Sequence, residues 1–179
     1  MPGLCTILLD SEAIRRAVTR ISHQLLEQNK GCENMVLIGV RTGGDHLARM
    51  IQRRIAEIEG IEVPMGIVDV TMYRDDVGSS RELRPVGKTE IPFKLGQRNV
   101  ILVDEVLQTG RTIRAAMDAI MDIGRPASIQ LAVLIDRGHR ELPIRADYVG
   151  RNVPTASEEQ IEVEFDSSGQ AHEVRLLKP

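Results

Sequence analysis

Aromatic residues are almost missing from this chain, which has two Phe, two Tyr and no Trp among 179 residues. The core must therefore be aliphatic, and a nucleobase held by this chain cannot depend mainly on ring stacking. The only cysteines are Cys5 and Cys32. They form no CxxC and no Cys/His cluster of metal-ligand spacing, which excludes a structural zinc motif and fits a reducing compartment. A basic surplus is also lacking: the formal net charge is -3 at pH 7. A protein that coats itself in nucleic acid is thereby excluded, while a local basic patch stays open. No run of about 18 apolar residues occurs, and MPGLCTILLDSEAIRR lacks the long apolar stretch of a secretory leader. These absences predict a cytoplasmic chain without a membrane span.

What is present suits one compact domain over 1–179, with 42% hydrophobic residues. Residues 12–28 space Ile14, Ala17, Val18, Ile21 and Leu25 onto one helical face, and Arg16, Thr19, Arg20 and His23 onto the other. MVLIGV (35–40) reads as a short buried strand, RTGGD as a glycine loop, and residues 46–58 as a second amphipathic helix. GIVDVTMY (66–73) reads as another strand. Residues 74–98 are rich in charge, Gly, Ser and Pro and form a long loop or hairpin, either a lid or a surface excursion. NVILV makes a strand, 111–123 a helix closing at Gly124, and 128–135 a further strand. QIEVEF, DSSG and AHEVRLL form a hairpin. The alternation predicts an α/β fold with a mostly parallel sheet covered on both faces.

In such sheets ligands bind beyond the carboxyl ends of the strands. Asp104 and Glu105 stand there, after VILV, and two adjacent acids at a buried strand end need hydroxyl donors, a cation or water. LQTGRT follows, with Gly110 for close backbone approach and Thr109 and Thr112 at the start of a helix, whose free amides and dipole favour a phosphate. Acids that accept from sugar hydroxyls, one loop before a phosphate cradle, fit a ribose 5-phosphate. The plainer alternative is a solvated strand end with Thr109 as a helix cap. A P-loop is excluded, since no Lys follows in a GxxxxGK pattern.

VILVDEVLQTGRT resembles the signature of type I phosphoribosyltransferases. AIRRAVTRISHQLLEQNKG, VDVTMYRDD and DRGHRELPIRADYVGRNVPT extend the likeness along nearly the whole chain, to the family of bifunctional pyrimidine operon attenuators and uracil phosphoribosyltransferases. The resemblance implies the type I fold: a mostly parallel sheet flanked by helices, a flexible loop and a small C-terminal hairpin or hood. It implies transfer of phosphoribosyl from phosphoribosyl pyrophosphate (PRPP) to uracil, giving UMP, with Mg2+ on the diphosphate and no dedicated protein metal cage. Asp104 and Glu105 would hold the ribose hydroxyls. Val106, Leu107, Gln108, Thr109, Gly110, Arg111 and Thr112 would wrap the 5-phosphate of PRPP or UMP, and Thr42, Gly43 and Gly44 would bind pyrophosphate. Paired glycines would equally serve a tight strand-to-helix turn. Arg74, in YRDD, becomes the catalytic-loop contact to pyrophosphate, or else an exposed partner of Asp75 or Asp76. Asp136 and Arg137 would read the base.

Three positions depart from the family pattern: Glu105 stands where Asp is usual, Gly43 where many relatives carry a basic residue, and Gln108 where purine enzymes carry an Asp. Gln cannot accept a proton as that Asp would, which disfavours a purine acceptor. For RNA, the resemblance carries over Thr19, Arg20, His23, Arg140, Arg145 and Arg151 as a face for the leader transcript of a pyrimidine operon. On charge spacing alone the first three are an ordinary solvated helix face. A homo-oligomer, dimer or tetramer, is implied. A regulator with weak catalysis and a salvage enzyme without RNA binding are the alternatives.

Overall fold

The computed structural model describes residues 4–71 and 88–179. The elements run β1 (Cys5–Leu9), α1 (Ser11–Gln28), β2 (Met35–Val40), α2 (Gly44–Glu59), β3 (Met65–Val68), β4 (Asn99–Leu107), α3 (Arg111–Ile123), β5 (Ser128–Asp136), β6 (Tyr148–Asn152), β7 (Gln160–Phe165) and β8 (Ala171–Leu177). Five strands form a parallel sheet in the order β3-β2-β4-β5-β6, and β1-β8-β7 form a separate antiparallel sheet. The expected parallel sheet and C-terminal hairpin are both present.

Each helix forms where an apolar stripe has a sheet face to cover. Asp10 caps α1 by accepting from the Ala13 amide at 2.8 Å, and Ile14, Ala17, Val18, Ile21 and Leu25 are buried. They join Leu47, Ile51 and Ile55 of α2 against Met35, Leu37, Ile101 and Val103 of the sheet. Ile113, Ala116 and Ile120 of α3 cover the opposite face with Val36, Ile38, Val100 and Leu102. Alternate residues of β2 and β4 thus go to opposite cores, which explains why both strands read as unbroken aliphatic runs. No helix among the described residues is long and apolar enough to cross a membrane.

Four readings change. Neither β1 nor β6 was expected as a strand. β3 ends at Val68, where its pairing with Val40 of β2 ends, instead of running to 73; the remainder of that expected strand lies partly outside the described residues. β4 continues through the two acids to Leu107 instead of stopping before them. Its pairing with β2 stops at Val103, while its pairing with β5 runs on to Leu107 opposite Asp136. Asp104 and Glu105 therefore lie on a strand end that keeps one neighbour and has lost the other.

Candidate active site

The crossover through α2 carries the chain from β2 outward to β3, and the crossover through α3 carries it from β4 the other way to β5. The strand order reverses between β2 and β4, which makes the crevice above their carboxyl ends the ligand position of an open α/β sheet. The loop after β2 holds Thr42, Gly43 and Gly44; the end of β4 holds Asp104 and Glu105. The two are in direct contact: a Cβ on Gly44 would collide with the Val103 carbonyl oxygen and stand 3.0 Å from the Asp104 Cα. Only glycine permits that approach. The Arg41–Thr42 peptide is cis and Gly43 has φ 112°.

On the β4 side, Asp104 is buried at 7% exposure and accepts from the Glu105 amide at 2.9 Å. Oε2 of Glu105 is buried without a hydrogen-bond partner. Burial first, then the Asp104 charge and a hydrogen bond with it, and further the Asp45 charge push the Glu105 carboxyl up to about 9, against a smaller opposing backbone hydrogen bond. Glu105 is accordingly protonated at neutral pH beside Asp104. Its carboxyl lies on the Gly43 backbone: a Cβ at Gly43 would fall 2.5 Å from Oε1 and closer still to Oε2.

Past β4, Gly110 takes the N-cap position of α3 at φ 92° with no side-chain cap, leaving the first-turn amides after that of Arg111 for a ligand at the crevice end. Thr109 Oγ1 accepts from the Arg111 amide at 3.2 Å, and the Thr109 carbonyl accepts from the Glu141 and Leu142 amides at 3.0 and 3.1 Å. Arg111 Nε donates to Glu141 at 2.5 Å. The 108–112 turn is thus held from outside by the segment after β5, with Gln108, Thr109 and Thr112 partly exposed.

Asp136 and Arg137 sit differently from each other. Arg137 is 6% exposed, and its guanidinium donates to Thr155 Oγ1 and to the carbonyls of Ala156 and Glu159, tying 155–159 to the carboxyl end of β5. That geometry commits its side chain to the fold. Burial alone would raise the Asp136 carboxyl, but the Arg140 hydrogen bond, the Gly138 amide and the Arg140 charge outweigh it and hold it below the ordinary value. Arg74 lies outside the described residues.

Two residues the motif reading passed over belong to this site. Asp45, 7% exposed, accepts from the Gly43 amide at 2.9 Å and stands 3.7 Å from Arg49. Arg41 opens the loop with a buried, unpartnered Nε. The signal for Arg41 was its place in RTGG; for Asp45 it was an acid in the first turn of a helix behind glycines.

The RNA candidates divide. Arg20 and His23 are exposed on α1 and Thr19 is half-buried. With Arg15, Arg16 and Arg54 of α2, Thr19 and Arg20 line a cleft of about 420 Å3. Its counter-charges are Glu12, paired with Arg15 and Arg16, and Glu57, 2.5 Å from Arg54. Arg20 donates to the Val149 and Gly150 carbonyls, and Arg151 to the Leu8 carbonyl at 2.7 Å. Arg145 is exposed. Arg140 is turned inward, onto Gln108, Asp136 and Ile144. A larger cavity, about 600 Å3 lined by Met121, Gly124, Arg125, Pro126, Ser128 and Ile129, lies at the amino end of β5, away from the crevice.

An acidic strand end, an uncapped helix start and a glycine loop at one switch point define a phosphoribosyltransferase, and the phosphoribosyl transferase domain family matches residues 5–167. The fold is shared with hypoxanthine phosphoribosyltransferase of Trypanosoma cruzi, at TM-score 0.75 and 23% identity over 97% of this chain and 95% of the other. It is shared with a hypoxanthine-guanine phosphoribosyltransferase of Bacillus anthracis, at TM-score 0.67 and 21% identity over 83% and 84%. In sequence the chain is 62% identical to the bifunctional protein PyrR of Geobacter sulfurreducens over 97% of this chain and 98% of the relative. It is 55% identical to that of Bacillus cereus over 95% and 96%. The chain belongs to the bifunctional PyrR family.

Proposed function

We propose that the two activities of this family, uracil phosphoribosyl transfer and control of pyrimidine operon expression, are carried here by the switch-point crevice and by the α1 face respectively. In the crevice, Asp104 and Glu105 accept from the ribose hydroxyls of PRPP, the open amides of α3 with Thr109 and Thr112 hold the 5-phosphate, and the 41–44 loop receives the diphosphate. Uracil N1 attacks ribose C1 as pyrophosphate leaves, giving UMP. The chain's contribution is to align the reactants and stabilise developing charge.

Two charged acids, Asp45 and Asp104, stand with the protonated Glu105 in a crevice that must admit a diphosphate. These acids fit a substrate that would arrive with Mg2+ already on its diphosphate, with no protein cage needed. With the substrate so loaded, Mg2+ would supply neutralisation of the diphosphate charge, while Asp104 and the 41–44 loop position the reactants. Among the described residues, the one cluster with metal-ligand spacing is Glu164, His172 and Glu173 on the antiparallel sheet. Its acids pair with Arg175, so it offers no cage at the crevice.

Regulation uses the arginine cleft. Four guanidiniums and a Thr hydroxyl can meet RNA phosphates and 2′-hydroxyls, which suits a chain with too few aromatics to stack bases. UMP in the crevice favours the RNA-bound form, and by linkage RNA must then tighten UMP by the same factor. A homo-oligomer, dimer or tetramer, in the cytoplasm completes the proposal, supported by exposed Met121 and Ile123 beside the apolar cavity.

The observation that carries the enzymatic half is the contact of Gly43 and Gly44 with Asp104 and Glu105 at the switch point. Incubation with uracil, PRPP and Mg2+ should yield UMP, and a gel shift of the pyrimidine leader transcript should tighten on adding UMP. No turnover with UMP binding retained would leave a regulator alone; UMP-independent RNA affinity would remove the coupling.

A further inference from the structure

Glu105 at the end of β4 and Gly43 in the loop after β2 come from separate motifs, and the structure puts one on the other. The longer acid extends from β4 across the crevice until its carboxyl fills the space a side chain at position 43 would need. Oε2 is buried there without a partner, so the contact is steric and not a hydrogen bond that holds the loop. The Gly43 amide is turned away, onto Asp45. An aspartate at 105, one methylene shorter, falls short of this position, and any side chain at 43 needs the position empty.

We propose that Glu105 occupies the diphosphate subsite as an internal competitor: its carboxyl rests on the Gly43 face of the pyrophosphate loop and must withdraw before that loop takes a diphosphate. One side chain thereby couples the ribose and diphosphate halves of the crevice. Withdrawing from Gly43 sends the carboxyl back along β4 toward the ribose position, so that diphosphate entry delivers the acid to the sugar. Pyrophosphate and ribose 5-phosphate groups then assist each other's binding, a coupling that disappears with the shorter acid. A protonated carboxyl at that place suits the role, since it sits beside Asp104 and Asp45 without adding a third charge. The inference rests on the crevice being the PRPP site.

The test is titration calorimetry of the full chain with magnesium pyrophosphate and, separately, UMP, combined with a double-mutant stability cycle. Glu105→Asp should tighten pyrophosphate about tenfold; unchanged or weaker pyrophosphate affinity overturns the proposal. In the cycle, Gly43→Ala carries both the positive-φ penalty and the collision with Glu105. In the Glu105→Asp background only the penalty remains, so the loss in unfolding midpoint should shrink. Equal losses in both backgrounds overturn the contact. Should Gly43→Ala fail to fold, the Glu105→Asp titration decides alone. Should neither ligand bind any variant, the PRPP reading falls, and the stability cycle still decides whether Glu105 and Gly43 compete for one space.

Discussion

Arg140 donates to Asp136 at 2.6 Å and, through its other terminal nitrogen, to the Gln108 carbonyl at 2.9 Å, so one guanidinium joins the end of β5 to the turn proposed to hold the 5-phosphate. Its Nε donates to the Ile144 carbonyl at 2.7 Å. A residue carried over for RNA contact is in this structure also a brace of the candidate active site.

Arg140→Ala should therefore damage both activities. Loss of a half-buried pair with three hydrogen bonds is expected to destabilise the fold by roughly 2–4 kcal/mol and to lower kcat/KM for uracil about tenfold or more. Thermal unfolding and steady-state kinetics check this. If only RNA affinity falls, the brace is irrelevant to the crevice.

Arg54→Ala addresses the cleft on α1 and α2. Removing one guanidinium from the proposed RNA cleft should weaken leader RNA about 3- to 10-fold and reduce the slope of log affinity against log salt by about one. Filter binding across a salt series reads both. An unchanged slope would show that the arginine cleft faces solvent and not RNA.

The pH dependence of stability follows from Glu105. Its folded value lies near 9, above the ordinary 4.5, so the folded protein binds this proton more tightly than the unfolded chain. The contribution is complete below the unfolded value and is lost as pH rises through the folded one. Urea midpoints should fall between about pH 5 and 9, and Glu105→Gln should flatten that slope. A wild-type slope in Glu105→Gln would assign the proton elsewhere.

Arg41 enters through its place at the head of the 41–44 loop, proposed to receive the diphosphate. Arg41→Ala should raise KM for PRPP about tenfold with a smaller change for uracil. Equal effects on both substrates would argue that Arg41 supports the loop without meeting the diphosphate.

Much of this was readable from the chain because it is local. Strand, two acids, glycine turn and helix follow one another in VILVDEVLQTGRT, so Asp104, Gly110 and the start of α3 could be placed by sequence. β1 and β6 could not. CTILL is mostly exposed and becomes a strand only by pairing with β8 at the far end of the chain. YVGRN contains a glycine and an exposed arginine and is held by β5, where Gly150 packs on the Leu134 carbonyl. The extension of β4 past Val103 depends on β5 continuing where β2 stops, a property of three strands together. The inward turn of Arg140 and Arg137, and the meeting of Gly43 with Glu105, depend on which loops the topology brings side by side. Charge pattern alone could not separate a guanidinium that braces from one that faces a ligand.

The most direct test of the phosphoribosyl reading is the formation of UMP from uracil and PRPP by the wild-type chain and by Asp104→Asn. The account predicts UMP and pyrophosphate in equal amounts from the wild type, and a fall in kcat/KM of about 100-fold or more in the variant with its unfolding transition retained. Wild-type turnover in Asp104→Asn would contradict it.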